Sequence, residues 1–257
     1  MLNSGSSFWI NYENRPEGVG YGQFSSGHLI LVLCSALLIT VIVATYKKSD
    51  KAKRIRMRRT IALVLAVLEV VRLTFMYLQG VTIIRYLPLE VCSFAGYSIM
   101  CDSIWTENRF LPELLVTIFL PGALMQHLSP TTTVLPLVNY YTFHQFLFHG
   151  LVIAYVLSRF LSGEIRLTYR GVWASAVKIA VLAAVVYVID IAIGENYMFL
   201  RDPEGNYILD KISHAAGGGM RYTLGLIVFT VVMIHIFFVI FKIVGALFVR
   251  RRPAVRA

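Results

Sequence analysis

The sequence contains few charged residues and very few cysteines. Asp, Glu, Lys and Arg together make up 15% of its 257 residues, and its three cysteines are Cys34, Cys92 and Cys101. Soluble domains usually carry about 25% charged residues, so this shortage argues against a soluble globular protein. A small and odd number of cysteines also gives no indication of a disulfide framework.

Three other patterns are missing. Residues 1–27 are polar and rich in Gly and Ser, without a basic stretch followed by an apolar core, so we expect no cleavable signal peptide. No Cys/His cluster has the spacing of zinc ligands, so we expect neither a metal site nor a cofactor. No fixed-period repeat or inverted duplication is visible, which argues against a secondary transporter built from two related halves.

Long apolar stretches dominate the chain instead. Hydrophobic residues make up 57% of the sequence and the mean hydropathy is +0.68. A membrane-crossing helix needs roughly 20 mainly apolar residues, and several stretches of the chain reach about that length. We therefore predict an all-α protein, a polytopic transmembrane helical bundle with one membrane domain over residues 28–248. Two of its seven spans are weak, because 86–101 is short and 110–127 is interrupted by Glu113 and Pro121. The five strong candidates are 28–46, 60–79, 137–160, 172–194 and 222–248.

The net charge of +10 is concentrated next to these apolar stretches. Basic residues cluster in the predicted loop 47–59 and in the tail 249–257, and such clusters mark the cytoplasmic side of a membrane and contact anionic lipid headgroups. If both clusters are cytoplasmic, the number of spans between them is even, which gives seven spans in all. Residues 1–27 then form an extracytoplasmic N-terminal segment, and no nucleic-acid partner is expected.

Two ionisable residues, Glu69 and Arg72, fall inside the predicted span 60–79. An ionisable side chain at the bilayer centre costs about 2.5–3.5 kcal/mol on insertion scales, so each one needs a compensating role. Residues three apart lie on one face of a helix. The sequence therefore leaves two interpretations open, a self-neutralising structural pair or a part of the functional site.

The stretch NYYTFHQFLFHG, residues 139–150, places several polar side chains on one predicted helix. Gln145 and His149 are four residues apart and share a face, whereas His144 points about 140° away from His149. The two histidines are therefore not expected to chelate one metal ion. A histidine that faces the bundle, with a glutamine one turn before it, is typical of a general base.

The stretch RYLPLEVCS, residues 85–93, places a proline, a glutamate and Cys92 at the start of a span. A cysteine in such a place often packs as a small apolar residue, but a thiol beside a base is a nucleophile that can attack the acyl esters of lipids. At ~1.5 Å per residue, Cys92 and His149 lie ~9 Å and ~18 Å into spans that run in the same direction. The sequence therefore predicts that the two side chains can meet in the outer half of the membrane.

Four motifs in a fixed order resemble the YwaF-type integral membrane proteins of bacteria and their animal relative, the acyltransferase transmembrane protein 164. The resemblance extends over about residues 60–245. The motifs are LPLEVCS, LPGALMQHLSPTTTVLP, FHQFLFHGLVIAYVL and ENYMFLRDP.

The resemblance implies roles for particular residues. The animal relative remodels phospholipids through a cysteine in the motif that corresponds to LPLEVCS, which gives the nucleophilic role to Cys92. The histidine of its HG-like segment corresponds to His149, with His144 as the second candidate, and Asn196 is carried over from the last motif. Many bacterial members have a histidine where this chain has Glu90. On a regular helix residue 90 lies about 200° from Cys92, so the two share a face only if the turn after Pro88 is irregular.

Taken together, these features predict a lipid acyltransferase of the bacterial cytoplasmic membrane, with Cys92 as nucleophile and His149 as base. The alternatives are a lipid hydrolase that uses Thr142 with a histidine, and a non-enzymatic carrier or assembly factor with a polar cavity. The candidate substrate-binding residues are Gln145, Asn196, His144 and Glu69.

Overall fold

The computed structural model describes residues 7–106, 108, 110–204 and 206–248, and in these residues the chain is helical and contains no strand. The all-α prediction is therefore confirmed, while the predicted basic tail 249–257 lies outside the described residues. The α-helices are α1 (Ser26–Lys48), α2 (Lys51–Leu78), α3 (Val91–Ile104), α4 (Pro112–Leu114), α5 (Leu120–Leu128), α6 (Tyr140–Leu161), α7 (Tyr169–Ile193), α8 (Tyr207–Ala216) and α9 (Gly219–Phe248). A π-helical segment (Leu115–Phe119) joins α4 to α5, and 3₁₀ helices occur at Ser7–Trp9, Ile83–Tyr86, Thr131–Val134 and Tyr197–Phe199.

Five helical segments of the described chain are long and apolar enough to cross a membrane, which supports a membrane protein. The two remaining predicted spans differ from these five. Helix α3 is shorter, with 14 residues, and α6 has the length but carries His144, His149 and Arg159 among its apolar residues. The five segments are Ser26–Lys48, Lys51–Leu78, Pro112–Val134, Tyr169–Ile193 and Gly219–Phe248.

The basic stretch 47–59 is largely helical, so its prediction as a loop is wrong. Helix α1 ends at Lys48, and α2 begins at Lys51 after a turn of two residues. The Asp50 carboxylate caps the new helix by accepting the backbone N–H of Lys53 at 2.7 Å. Lys and Arg are good helix formers, so the basic residues simply form the first turns of a helix that continues into the apolar stretch.

The long connection between α7 and α9 contains a helix that the sequence analysis did not predict. Helix α8 is capped at its start by the Asn206 side chain, which accepts the N–H groups of Ile208 and Leu209, and it ends at Gly217 in the left-handed conformation. Its apolar residues lie against α9, where a Cβ on Gly225 would come within 3.2 Å of Ile212. The helix is too short to cross a membrane.

Helix α6 is the central helix of the bundle. Fifteen of its 22 residues are buried, and it contacts α1, α2, α3, α5 and α9. Two glycines permit the closest approaches: a Cβ on Gly150 would lie 2.7 Å from the Ser35 hydroxyl of α1, and a Cβ on Gly96 of α3 would lie 3.3 Å from the Phe148 ring. Residues that project from α6 toward α3 are therefore held in a tightly packed environment.

A buried ionic cluster joins the C-terminal ends of α1, α3 and α6 to the first turns of α2. Asp102, with no exposed surface, accepts hydrogen bonds from Arg58, Tyr155 and Arg159. The second acid of the cluster is Glu164. Its carboxylate accepts hydrogen bonds from the Tyr46 hydroxyl at 2.8 Å and from Arg54 at 3.2 Å. The ionic cluster fixes one end of the bundle, and with it the lengthwise position of α3.

We expect Asp102→Asn to lower the free energy of unfolding by about 3–5 kcal/mol, since it leaves Arg58 and Arg159 buried beside a neutral amide. Chemical denaturation of the purified protein in detergent measures this change. Glu17→Gln, at an exposed position, is the matched control and should leave stability unchanged. A loss of less than about 1 kcal/mol for Asp102→Asn, the value typical of a surface ion pair, would contradict the structural role of the cluster.

Candidate functional site

The end of the bundle opposite the ionic cluster contains a cavity of about 410 Å³. It lies between α2, α3, α5 and α6 and extends under the connection that follows α7. All six residues that the sequence analysis selected line this one cavity, namely Glu69, Cys92, His144, Gln145, His149 and Asn196. The fold therefore brings together residues that are up to 127 positions apart in the chain.

Cys92 is the second residue of α3, at the point where the helix meets the cavity. The residue before the helix, Glu90, has extended backbone angles (φ −76°, ψ 156°) and does not cap it. The Glu90 carboxylate instead accepts the N–H of Met198 at 3.0 Å. The first N–H groups of a helix have no acceptor within it, and those of Cys92 and Ser93 belong to the first turn of α3, next to the Cys92 thiol.

Glu90 and Cys92 both line the cavity, because the chain that leads into α3 is not a regular helix. The angle of about 200° holds only for two residues of one regular helix. Glu90 precedes the helix, so its side chain is not bound by that geometry. Pro88 favours extended backbone angles in the residue before it, Leu87 (φ −54°, ψ 144°).

His149 has one ring nitrogen that is engaged and one that is free. Its Nδ1 lies 2.8 Å from the backbone oxygen of Gln145, and since a carbonyl oxygen only accepts, Nδ1 carries the proton in the neutral ring. Its Nε2 is buried and has no hydrogen-bond partner in the described structure. The side chain is 5% exposed, so the cavity contains an unprotonated imidazole nitrogen that is available to accept a proton.

His144 also lines the cavity. Its Nε2 is buried without a partner among the described residues, and its ring stacks on Phe148 with centroids 5.7 Å apart. His144 points about 140° away from His149 on the helix, yet both line the cavity. The cavity therefore wraps around the first half of α6.

Gln145 forms a pair with a residue that the sequence analysis missed. Its Nε2 donates to Oε1 of Gln126 at 2.6 Å, and both side chains line the cavity. Gln126 lies in the last turns of α5, within the motif LPGALMQHLSP. Its position in that motif could have identified Gln126 as a site residue. A glutamine in the last turns of a helix is too common to indicate a site without the motif.

Asn196 organises the loop that closes one side of the cavity. Its amide donates to the backbone oxygen of Asp202 and to the Glu204 carboxylate, at 2.8 and 3.0 Å, while its oxygen accepts the N–H of Arg201 at 2.8 Å. The polar atoms of Asn196 are thus occupied within the loop. The residues that follow it, Tyr197 to Phe199, form the wall of the cavity next to Glu90.

Two consecutive residues of this wall have a strained backbone. Met198 and Phe199 have φ angles of 58° and 56°, in the left-handed region that non-glycine residues seldom adopt. Hydrogen bonds hold this turn from several sides: Glu90 binds the N–H of Met198, and Tyr222 of α9 donates to the oxygen of Phe199 at 2.7 Å. Strain of this kind persists where the surroundings enforce it, often at functional sites.

Glu69 and Arg72 form an ion pair at 2.6 Å, three residues apart on α2. Both side chains line the cavity, and Arg72 also donates to the backbone oxygen of Tyr86 at 3.2 Å. The two interpretations that the sequence left open are thus compatible, because the pair is internally neutralised and yet faces the cavity. Arg72 in addition ties the 3₁₀ helix Ile83–Tyr86 to α2.

In another histidine, His127, both ring nitrogens have hydrogen-bond partners. Its Nε2 accepts the Ser35 hydroxyl at 2.7 Å, and its Nδ1 donates to the oxygen of Ala123 at 3.1 Å. Gly150 packs directly on this Ser–His pair, so no space for a substrate remains there. The pair has a structural role in joining α1 to α5.

Thr142, the nucleophile of the alternative hydrolase, is placed differently from Cys92. Its side chain has no exposed surface, and its hydroxyl donates to the backbone oxygen of Pro136 at 3.1 Å. It is not one of the residues that line the cavity described above. Across the described part of the chain, no group of three or more His, Cys, Asp or Glu side chains is arranged to hold a metal ion.

Comparison with known protein families gives a match over most of the chain. The model of the family described as TMEM164 family matches residues 23–248. The matched range contains α1 to α9 and all six predicted site residues, and it confirms the predicted relationship to transmembrane protein 164. No curated protein and no solved structure matches the chain.

Proposed function

Because this chain belongs to the TMEM164 family, we propose that it is a membrane-embedded lipid acyltransferase in which Cys92 carries the acyl chain as a thioester. The observation that carries the proposal is the content of one cavity: a thiol, the start of a helix without a side-chain cap, and the free Nε2 of His149. These are the three parts that nucleophilic acyl transfer requires, namely a nucleophile, an oxyanion site and a base.

In the first step the Cys92 sulfur attacks the carbonyl carbon of a lipid ester. His149 Nε2 takes the thiol proton as the carbon–sulfur bond forms, so that a thiolate need not exist alone in an apolar cavity. The tetrahedral intermediate collapses by breaking the carbon–oxygen bond, and His149 returns the proton to the departing oxygen. The products are a deacylated lipid alcohol and the acyl-thioester on Cys92.

The backbone N–H groups of Cys92 and Ser93 are placed to bind the oxyanion of that intermediate. They belong to the first turn of α3. The Glu90 carboxylate accepts the N–H of Met198 and does not cap this turn. The partial positive charge of a helix start adds to their effect. Because Glu90 does not cap α3, the first N–H groups of this helix can bind the oxyanion.

In the second step a hydroxyl group of an acceptor lipid attacks the thioester carbonyl. His149 takes the hydroxyl proton, a new carbon–oxygen bond forms and the carbon–sulfur bond breaks. The proton returns to the sulfur and regenerates the thiol. One ester is consumed and one is formed, so no cofactor and no metal ion are needed.

The other cavity residues are assigned supporting roles. The paired amides of Gln126 and Gln145 orient the ester and fix the turn of α6 whose backbone oxygen holds His149. His144 offers a second acceptor nitrogen to the substrate, and the Glu69–Arg72 pair supplies charge of both signs to a polar headgroup. Asn196 keeps the wall next to Cys92 in place.

Two other functions make different predictions. A hydrolase based on Thr142 is disfavoured by the burial of its hydroxyl and by its bond to Pro136. A carrier or assembly factor uses the cavity without covalent chemistry, and nothing in such a function requires a free imidazole nitrogen and a thiol on the same cavity.

A vesicle assay separates these three functions. The purified protein is incubated in phosphatidylethanolamine and phosphatidylglycerol vesicles whose acyl chains carry a carbon-13 label, with an unlabelled lysophospholipid as acceptor. We expect labelled chains on the acceptor, detected by mass spectrometry. Labelled free fatty acid alone, retained after Cys92→Ala, indicates the hydrolase, and no change in any lipid indicates the carrier.

We also infer that α3 and α6 cross the membrane with the five apolar helical segments, which gives seven spans in a bacterial cytoplasmic membrane. In this orientation the cavity lies toward the outer side, and the basic residues 47–59 and 249–257 contact anionic headgroups on the inner side. Glu17→Cys should then react with a membrane-impermeant thiol reagent on intact cells. Lys51→Cys should react only after permeabilisation, and the reverse pattern would refute this topology.

A further inference from the structure

We propose that residues 7–24, which we term the N-terminal cover, keep water out of the cavity, and that Tyr12 thereby directs the acyl chain to a lipid hydroxyl rather than to water. This inference rests on the acyl-thioester mechanism proposed above. It assigns a function to a segment that lies almost wholly outside the residues matched by the family.

The first half of the N-terminal cover is attached across the ends of α2 and α6. Trp9 stacks on Phe75 of α2, with ring centroids 4.8 Å apart, and its backbone oxygen accepts Gln79 at 2.7 Å. Asn139, the residue that caps α6, donates to the backbone oxygen of Ile10 at 2.8 Å. These contacts hold a segment without long helices in a defined path across the ends of α2 and α6.

The second half is attached to the connection between α5 and α6. The N–H groups of Tyr21 and Gly22 donate to the oxygens of Leu135 and Thr133, both at 3.1 Å. Gly20 approaches so closely that a Cβ there would lie 2.4 Å from the Thr133 oxygen. The N-terminal cover is therefore fixed at both ends, with Tyr12 between them.

Tyr12 is the point at which the N-terminal cover enters the cavity. Its ring lines the cavity together with Thr131, and it packs against a small hydrophobic cluster that includes Met76 and Tyr141. Burial raises the pKa of Tyr12 to about 12, so at physiological pH it is a neutral phenol. Its ring contributes an apolar wall to the cavity.

The wall matters because a thioester has two competing acceptors. If a lipid hydroxyl attacks the carbonyl, its proton passes to His149, the carbon–sulfur bond breaks and an ester is formed. If water attacks, the same bonds form and break, but the product is a free fatty acid and the acyl chain is lost. Exclusion of water from a closed site is a known way to suppress such hydrolysis.

Trp9→Ala tests this inference without changing a residue that lines the cavity. It removes the stacking contact with Phe75 and loosens the cover, while Cys92 and His149 keep their surroundings. In the labelled-vesicle assay we expect the ratio of free fatty acid to transferred chain to rise about tenfold. In oxygen-18 water, the fatty acid should carry the heavy oxygen. Glu17→Ala, an exposed change in the same segment, is the matched control and should leave the ratio unchanged.

Tyr12→Ala and Tyr12→Phe provide the second comparison. The alanine variant opens the wall and should raise hydrolysis as Trp9→Ala does, while the phenylalanine variant keeps the ring and should resemble the wild type. An unchanged ratio in both Trp9→Ala and Tyr12→Ala, with an acyl adduct still formed on Cys92, would overturn the role of the cover and leave the mechanism intact. Absence of any adduct in the wild type would instead overturn the mechanism itself.

Discussion

Cys92→Ala is expected to abolish acyl transfer, with a loss of the order of 10⁴-fold or more, because no other group on the protein then forms the covalent intermediate. The substitution removes one sulfur atom at the first turn of α3 and leaves the backbone donors of that turn in place. The measurement is the initial rate of chain transfer in the labelled-vesicle assay, normalised to folded protein.

The other two cysteines supply the control for this experiment. Cys34 and Cys101 are free and exposed, and neither lines the cavity described here. Cys34→Ala and Cys101→Ala should therefore retain the wild-type rate, and all three variants should unfold at similar temperatures. Transfer that persists in Cys92→Ala at more than a few per cent of the wild-type rate would show that the thiol is a packing residue.

His149→Asn should lower the rate of transfer by about 10²–10⁴-fold, the usual contribution of a general acid–base group. This corresponds to about 3–5 kcal/mol of transition-state stabilisation. The asparagine side chain still fills part of the space beside Gln145 but has no imidazole to exchange a proton with the thiol. His149→Ala should show partial recovery when imidazole is added to the assay, a result that loss of packing alone does not explain.

His235→Asn is the matched control for this substitution. His235 has the same local hydrogen bond as His149, from Nδ1 to the backbone oxygen four residues earlier, at 2.8 Å. It lies on α9 between Tyr169 and Trp173, away from the cavity residues. Equal losses of activity in the two variants would indicate that both histidines only support the fold.

Much of the bundle could be predicted from apolar stretches, because the hydrocarbon core sets the length of each helix. The boundaries were less predictable at residues 47–59, where Lys and Arg suggested a loop although both are good helix formers and Asp50 provides a cap. Helix α8 was missed because ten amphipathic residues in a polar connection give a weak signal. The ionic cluster around Asp102 was also missed, since its members come from four separate parts of the chain.

The candidate site was likewise predictable only in part. The residues Cys92, His149 and Gln145 were selected from local spacing and family resemblance, and the fold places all of them on one cavity. Their surroundings depend on long-range packing that no local pattern contains. Glu90 meets Met198 only because the connection after α7 folds back over α3, and Tyr12 reaches the cavity only through contacts with distant helix ends.

The most direct test of the central claim is the mass of the protein after incubation with lipid vesicles that lack an acceptor lysophospholipid. If Cys92 carries the acyl chain as a thioester, a fraction of the protein should gain the mass of one acyl chain. Peptide mapping should place this chain on Cys92, and neutral hydroxylamine, which cleaves thioesters, should remove it. An adduct on Cys34 or Cys101, or active transfer with no adduct on Cys92 under any condition, would contradict the account.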